Sequence, residues 1–125
     1  MIVGMDIRIG QDAPVLAAGW IARRLRDAVR RRGSASLALS GGSTAPPMIA
    51  ALVAAEVPWD RVGIWQVDER VAPNGHPARN ANQLDVLHAL PCRIRPMPVT
   101  AGDLRRAAAR YAAGLPERFD VVHLG

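Results

Sequence analysis

Residues 37–47, LALSGGSTAPP, change abruptly from apolar side chains to glycines and hydroxyls, and then to two prolines. The apolar part predicts a buried strand, and Pro46 or Pro47 is suited to the first turn of a helix. The connection Gly41–Thr44 then lies between a strand and a helix. It has two interpretations at this point: a tight turn with a hydroxyl capping the helix, or a loop whose backbone N–H groups hold an anion.

The sequence of this connection does not match two common nucleotide-binding motifs. A P-loop requires a Lys after its glycines, and this chain contains no Lys at all. The pattern also differs from the GxGxxG of dinucleotide-binding folds. Dinucleotide binding therefore gains no support from this connection.

Strand-like and helix-like segments alternate along the rest of the chain. Strands are predicted around Met5–Ile9, Ser36–Leu39, Val62–Val67, Phe119–Leu124 and, at a sheet edge, Arg93–Val99. One helix is predicted from a cap at Asp12 to a stop at Gly33, and a second from Pro46 or Pro47 to before Pro58. Two further helices are predicted over Asn82–Leu90 and Asp103–Ala113. This alternation predicts an α/β fold with a Rossmann-like parallel sheet and crossover helices. We expect one α/β domain over residues 1–125.

Composition narrows the class of protein. All 16 basic residues are Arg and the net charge is +5, but no nucleic-acid-binding motif accompanies this charge, so we expect no nucleic-acid partner. No apolar run reaches the roughly 18 residues that span a bilayer, so we expect no membrane association. The single cysteine, Cys92, cannot form an internal disulfide, which is typical of a cytoplasmic protein.

Three charged residues, Asp68-Glu69-Arg70, directly follow the predicted strand Val62–Val67. In open α/β sheets, ligands bind beyond the carboxyl ends of the strands. A carboxylate placed there can transfer protons or orient a sugar hydroxyl, and an Arg fork suits a phosphate. An ion-paired strand end is the alternative for such a triplet taken alone, but an anion loop and an Asp/Arg pair on successive strands favour a common site.

The segments LALSGGST, VGIWQVDERVAPNGHPARNANQL and FDVVHLG resemble, in order and spacing, the glucosamine-6-phosphate isomerase/6-phosphogluconolactonase family. On the lactonase side of the family, the resemblance implies hydrolysis of the lactone of a sugar phosphate in the pentose phosphate pathway, with neither a metal nor an organic cofactor. The resemblance also implies that Gly41, Gly42, Ser43 and Thr44 bind the 6-phosphate of the substrate. Arg70 would neutralise this phosphate, with Arg79 as a helper. Asp68 and Asn80 would line the sugar-binding cleft, and Asp68 is the candidate catalytic residue.

Two departures from the family pattern are visible. Thr44 is followed by Ala45 before the prolines, which alters the entry into the helix. The family's general base is a His in a Gly-x-Asp-Gly-His-Thr-type segment that follows the strand ending in Leu-Gly, and here that segment would begin after Gly125. We therefore expect the N-terminal part of a longer domain, truncated before its last strands and helices, and inactive alone.

The remaining reactive side chains have plainer interpretations. His76 is expected in a solvated loop, His88 on a helix, and His123 as a satisfied histidine in the last strand, so none is expected to replace the missing base. Cys92 is expected to be inert because no base is paired with it. A half-built parallel sheet would leave Val121, Val122 and Leu124 next to an unpaired edge, which would favour self-association.

Two other functions stay open. A glucosamine-6-phosphate deaminase or related isomerase shares the glycine loop, but typically has Glu-Tyr where this chain has Glu69-Arg70. A non-catalytic module that binds sugar phosphates would need the same phosphate loop and no base. The lactonase interpretation is favoured by Arg70.

Overall fold

The structure, a computed structural model, describes residues 4–125. Its helices are α1 (Ala13–Arg32), α2 (Ala45–Val53) and α3 (Leu104–Ala113), with 3-10 helices at Trp59–Arg61 and Asn80–Ala89; its strands are β1 (Ala35–Leu39), β2 (Val62–Gln66), β3 (Arg93–Arg95) and β4 (Val121–Val122). The four strands form one sheet in the order β3-β2-β1-β4, and every pairing is parallel. The predicted α/β class with a parallel sheet is confirmed.

Helix α1 begins and ends where the sequence predicts. The Asp12 carboxylate accepts a hydrogen bond from the backbone N–H of Val15, at 3.3 Å. Gly33 ends the helix in a left-handed conformation, with φ at 80°, and donates its N–H to Val29 O. Glycine is favoured at this position because other residues pay a steric cost for positive φ.

One face of the sheet is covered by α1 and α2, and the main core lies there. Its largest fully buried side chains are Leu25, Leu37, Leu39, Met48, Ile49, Leu52, Ile64 and Leu87. Strand β1 is buried at every residue because it pairs with β2 on one side and β4 on the other. A fully buried strand reads as a continuous apolar run, and this accounts for the pattern that predicted it.

The opposite face is covered only in part, by α3. The Tyr111 hydroxyl accepts from the N–H of Gln66 and donates to its carbonyl oxygen, both at 2.9 Å. The last residue pair between β2 and β3 is Trp65 with Arg95, so the backbone groups of Gln66 lie just beyond the end of β3. An open apolar groove runs between α3 and this face, lined in part by Ala38, Val67, Met97, Phe119 and Val122.

The predicted N-terminal strand is wrong. Residues 4–10 have no regular secondary structure, and Met5, Ile7 and Ile9 are 87%, 73% and 93% exposed. Alternating apolar residues form a strand only where a neighbouring strand supplies hydrogen bonds, and residues 4–10 pair with none of the four strands, not even with the outer edges of β3 and β4. The predicted last strand is also shorter than expected, since only Val121–Val122 pairs with β1.

The segment predicted as a helix over Asn82–Leu90 is a 3-10 helix that starts earlier, at Asn80. Its first two N–H groups, those of Asn80 and Ala81, both donate to the carboxylate of Glu69. A carboxylate placed at a helix N-terminus satisfies donors that have no partner within the helix. None of the helices in the described part of the chain has the length and apolar character needed to cross a bilayer.

Candidate functional site

Two loops meet at the carboxyl edge of the sheet. Strands β1 and β2 are adjacent and parallel, with Leu39 opposite Gln66, so the residues after each strand emerge side by side. One loop holds the glycine segment Gly41–Thr44, and the other holds Asp68–Arg70. The sequence therefore correctly predicts that both segments reach the same edge of the sheet.

The glycine loop leads directly into α2. Gly42 has a φ of 114°, a conformation that side chains rarely adopt, and its carbonyl accepts from the N–H of Ala45 at 3.3 Å. Thr44 occupies the N-cap position, but its side chain makes no capping hydrogen bond, and both Ser43 and Thr44 are exposed. This geometry differs from the capped-turn interpretation, because the Thr44 hydroxyl is not used by the helix.

One backbone donor of the glycine loop is held by a side chain from the 3-10 helix that follows the second loop. The Gly42 N–H donates to Oε1 of Gln83, in the 3-10 helix, at 3.1 Å. Ser40, just before the glycines, donates its hydroxyl to Asp68 Oδ1 at a long 3.5 Å. The glycine segment is therefore linked by side chains to the second loop and to the 3-10 helix that follows it.

Asn80 connects the charged residues of the second loop. Its side-chain nitrogen donates to the carbonyl and the Oδ1 of Asp68, at 3.2 and 3.4 Å, and its side-chain oxygen accepts from Arg70 Nη1 at 3.1 Å. The same carboxamide lies against Gly41, where no side chain fits. Four of the predicted residues, Gly41, Asp68, Arg70 and Asn80, thus form one contiguous group.

Arg70 presents its charge at the surface of this group. It is exposed, and its Nη1 donates to Ala78 O and to Asn80 Oδ1. Guanidinium has five N–H donors, so further donors remain for an anion after these two bonds. A planar, permanently charged fork suits a phosphate in two parallel hydrogen bonds.

Glu69 lies beneath this group, with a side chain that is fully buried at 0% exposure. Its Oε1 accepts from the N–H groups of Arg70 and Asn80, at 2.8 and 2.7 Å. Its Oε2 accepts from the N–H of Ala81 at 2.9 Å and from the side chain of Gln66 at 3.0 Å. Sequence analysis named Glu69 only as part of the charged triplet, so this role was missed.

Arg79 is the counterion of Glu69. Its Nε lies 2.9 Å from Glu69 Oε2, although the N–H is not aimed well enough for a hydrogen bond. Its Nη1 donates to Ala72 O and Asn74 Oδ1, both at 3.0 Å, and the residue is only 6% exposed. The Arg79 guanidinium is therefore buried and occupied within the second loop, and its expected role as a helper in phosphate binding stays a prediction.

The ionisation of Glu69 follows from these contacts. Burial raises the pKa of the carboxyl, but hydrogen bonds from the Gln66 side chain and from the backbone of Arg70 and Asn80, together with the adjacent Arg79 guanidinium, lower it by more, so that the pKa falls from 4.5 to about 2. Hydrogen bonds to the charged form outweigh desolvation when several donors converge on one carboxylate. Glu69 is therefore ionised throughout the physiological pH range.

The three histidines lie apart in the fold. His76 is exposed in the second loop, and its Nδ1 accepts from the N–H of Ala78 at 3.1 Å; His88 is exposed near the end of the 3-10 helix. The expectation that His123 is satisfied is wrong, because its buried Nδ1 has no hydrogen-bond partner within residues 4–125. Burial lowers the pKa of His123.

The remaining reactive groups are separate from the two loops. Cys92 is half-buried, donates to Leu87 O at 3.5 Å, and has a pKa raised by burial, which disfavours the reactive thiolate. Over residues 4–125, no three His, Cys, Asp or Glu side chains cluster closely enough to hold a metal ion.

This geometry can be compared with known proteins. The family model described as "Glucosamine-6-phosphate isomerases/6-phosphogluconolactonase" matches residues 12–125, which is most of the chain. The chain belongs to this family. The match includes both loops of the site and all four strands of the sheet, so the resemblance predicted from the three quoted segments is confirmed.

Individual members of the family agree with this assignment. The chain is 40% identical to a 6-phosphogluconolactonase of Mesorhizobium japonicum over 91% of its own length, and 35% identical to one of Streptomyces coelicolor over 87%. The alignments cover 52% and 51% of those two proteins. The chain thus spans about half the length of these family members.

Solved structures of the family show the same fold. A 6-phosphogluconolactonase from Shewanella baltica superposes with a TM-score of 0.77 at 29% identity, covering 89% of this chain and 52% of that one. A 6-phosphogluconolactonase from Thermotoga maritima superposes with a TM-score of 0.76 at 20% identity, which supports the fold alone. The Rossmann-like architecture predicted from sequence is therefore that of the family.

Proposed function

We propose that this chain provides the phosphate-binding side of a 6-phosphogluconolactonase, which hydrolyses 6-phosphogluconolactone to 6-phosphogluconate. The observation that carries the proposal is the contact between the two loops at the carboxyl edge of the sheet, in which Asn80 lies against Gly41 and accepts a hydrogen bond from Arg70. Family membership and the lactonases among its relatives support the choice of substrate.

The substrate's phosphate is assigned to the glycine loop and Arg70. The backbone N–H groups of Gly41, Gly42, Ser43 and Thr44, with the two hydroxyls, supply neutral donors at the N-terminus of α2, where the helix dipole favours an anion. Arg70 supplies the compensating positive charge. The Gly42 N–H exchanges its bond to Gln83 for one to a phosphate oxygen.

The sugar ring is assigned to Asp68 and Asn80. Asp68 is exposed, and its Oδ1 receives only long hydrogen bonds, at 3.4 Å from Asn80 and 3.5 Å from Ser40. Such a carboxylate has capacity left to accept a hydrogen bond from a sugar hydroxyl. We propose that Asp68 orients the ring, while Asn80 holds Asp68 and Arg70 in register.

In the reaction, water attacks the lactone carbonyl, a base accepts the proton of that water, and donors stabilise the tetrahedral oxyanion. The ring C–O bond then breaks, the departing hydroxyl oxygen is protonated, and a carboxylate remains. We assign the base to none of His76, His88 and His123. His76 is exposed in its loop and His88 is exposed near a helix end. His123 borders a cavity that is lined by α1 residues such as Ala17 and Trp20 and by no residue of the glycine loop.

Deamination of glucosamine 6-phosphate is the second candidate, because the matched family includes isomerases of that class. Arg70 in place of the deaminases' Tyr favours the lactonase. A non-catalytic sugar-phosphate-binding module is the third candidate and predicts binding without turnover. Ammonia release from glucosamine 6-phosphate and lactone hydrolysis, assayed side by side, distinguish the three.

The test uses the purified chain and a hybrid that joins it to the part of the Mesorhizobium japonicum relative that it does not match. Calorimetry measures binding of 6-phosphogluconate to the chain, and lactone hydrolysis above the spontaneous rate measures activity of the hybrid. We expect Arg70→Ala to raise the Kd by about 5–150-fold, the effect of losing about 1–3 kcal/mol from a charged hydrogen bond. Arg23→Ala, on an exposed part of α1, is the matched control. Equal affinity of the two variants would remove Arg70 from the phosphate site.

We also propose that residues 1–125 belong to one α/β domain that works in the cytoplasm without a nucleic-acid partner. The unpaired Cys92 and the absence of a nucleic-acid-binding sequence motif support this placement.

A further inference from the structure

The buried carboxylate of Glu69 has all of its acceptor sites occupied. Four hydrogen bonds and one ion pair converge on its two oxygens, which matches the roughly four acceptor sites of a carboxylate plus its charge. Three of the hydrogen-bond donors are backbone N–H groups, two of them from Arg70 and Asn80, which are themselves assigned to the substrate.

We propose that Glu69, with Arg79 as its buried counterion, is the positioning residue that holds Arg70 and Asn80 against the glycine loop. The inference rests on the proposed function, since it concerns the same site. Glu69 does not touch the substrate in this arrangement. It acts through the backbone of Arg70, on one side of the loop, and through the backbone of Asn80, ten residues later, on the other.

The chemistry of the contacts explains why a carboxylate is needed at this position. Each oxygen accepts from two donors: Oε1 from Arg70 and Asn80, and Oε2 from Gln66 and Ala81. A carboxamide would turn its own NH₂ group towards one of these pairs of donors, and that pair would lose its acceptor. An aspartate would retain the charge but would be one methylene too short to reach both sides of the loop.

The burial of the pair also requires an explanation. A buried ion pair is a weak source of stability, because desolvating two charges offsets most of their attraction. Gln66 extends the arrangement, since its Oε1 accepts from the Met97 N–H at 2.7 Å and so ties the pair to the segment after β3. A need to hold Arg70 and Asn80 in fixed positions therefore explains the desolvation of the Glu69–Arg79 pair better than a gain in stability does.

The test compares Glu69→Gln with Glu117→Gln, the same change at an exposed position, in the full 125-residue chain. Binding of 6-phosphogluconate is measured by calorimetry at a temperature where each variant is fully folded by circular dichroism. We expect Glu69→Gln to raise the Kd about tenfold or more, since small displacements of binding groups are costly, and Glu117→Gln to leave it unchanged. A folded Glu69→Gln chain that binds as the unaltered chain does would overturn the proposal.

A spectroscopic measurement separates this proposal from the proposed function. The side-chain NH₂ resonances of Asn80 and the guanidinium resonance of Arg70, in ¹⁵N spectra without ligand, are expected to move in Glu69→Gln and not in Glu117→Gln. If the unaltered chain fails to bind 6-phosphogluconate, the proposed function fails, and these resonances alone decide the positioning role. Unmoved resonances would overturn it.

A second variant covers the case in which Glu69→Gln does not fold. Glu69→Asp retains the negative charge beside Arg79, and we expect it to fold with the Asn80 resonances displaced and the Kd raised. A residue with a purely structural role would lower the melting temperature of this variant and leave the Kd of its folded form unchanged. That result would also overturn the proposal.

Discussion

Gly41 lies directly against the carboxamide of Asn80, and this contact joins the two loops of the site. A Cβ built on residue 41 would lie 2.5 Å from Asn80 Cγ and 3.1 Å from its Cβ, distances that require one of the loops to move. The backbone of Gly41 does not have positive φ, so the need for glycine here is one of space.

Gly41→Ala is expected to separate the loops and to weaken 6-phosphogluconate binding. The added methyl group overpacks a site where Asn80 is held by four hydrogen bonds, and overpacking typically costs about 1–3 kcal/mol of folding stability. Urea unfolding and calorimetric binding measure the two effects. Gly19→Ala is the control, because its Cβ meets nothing within 4 Å in the middle of α1, and it should stabilise the chain by about 0.5–1 kcal/mol. An unchanged Kd in Gly41→Ala would contradict the close approach of the loops.

Tyr111→Phe is expected to destabilise the chain by about 1–3 kcal/mol. The hydroxyl is the partner of both the N–H and the carbonyl of Gln66, and its loss leaves two partly buried backbone groups without that partner. The free energy of unfolding in urea measures the change. Stability equal to that of the unaltered chain would show that water replaces the hydroxyl at no cost.

The pKa of Glu69 predicts how stability depends on pH. Because folding lowers this pKa from 4.5 to about 2, the folded state gains stability from the ionised carboxylate above about pH 4.5. This contribution, about 3 kcal/mol, is lost as the pH falls from about 4.5 to about 2. The difference in unfolding free energy between Glu117→Gln and Glu69→Gln should therefore shrink over that interval. A constant difference from pH 7 to pH 2 would contradict the lowered pKa.

The exposed side of β4 predicts self-association. Val122 is 51% exposed and Leu124 is 74% exposed beside a strand that pairs with β1 on one side only, among the described residues. Unpaired strand edges with apolar side chains template further pairing, and a charge at the edge opposes it. Sedimentation should show concentration-dependent association that Val122→Lys reduces. Val86→Lys, at 54% exposure on the 3-10 helix, is the control, and equal association of the two variants would place the contact elsewhere.

Sequence patterns predicted the frame of the molecule well because the deciding residues act locally. Asp12 caps the start of α1 and Gly33 ends it, each through contacts within one turn of the helix. The apolar run that forms β1 needs burial on both faces, whatever covers it. The glycines and the Asp68–Arg70 triplet follow adjacent strands, so the parallel sheet brings them together without any further information.

The parts that were missed depend on contacts between distant residues. Glu69 carries no local signal that distinguishes a buried hub from an exposed charge, because its partners Asn80 and Ala81 lie beyond the following loop. The same is true of Gln83, which reaches Gly42 over 41 residues. The alternation in residues 5–9 satisfied the rule for a strand, but the rule contains nothing about which neighbour it would pair with.

The strand order β3-β2-β1-β4 also places a crevice beside the glycine loop. After β1, the chain places β2 and then β3 on one side of β1, and it then returns to place β4 on the other side. The strand order therefore reverses at β1, and a crevice opens at the carboxyl end of this strand. Sheets of this kind bind ligands at such a reversal point. Gly125, after β4, already borders this crevice, since a Cβ there would lie 2.5 Å from Gly41 O. The glycine loop therefore lies between Gly125, which follows β4, and the Asn80–Arg70 pair on the side of β2.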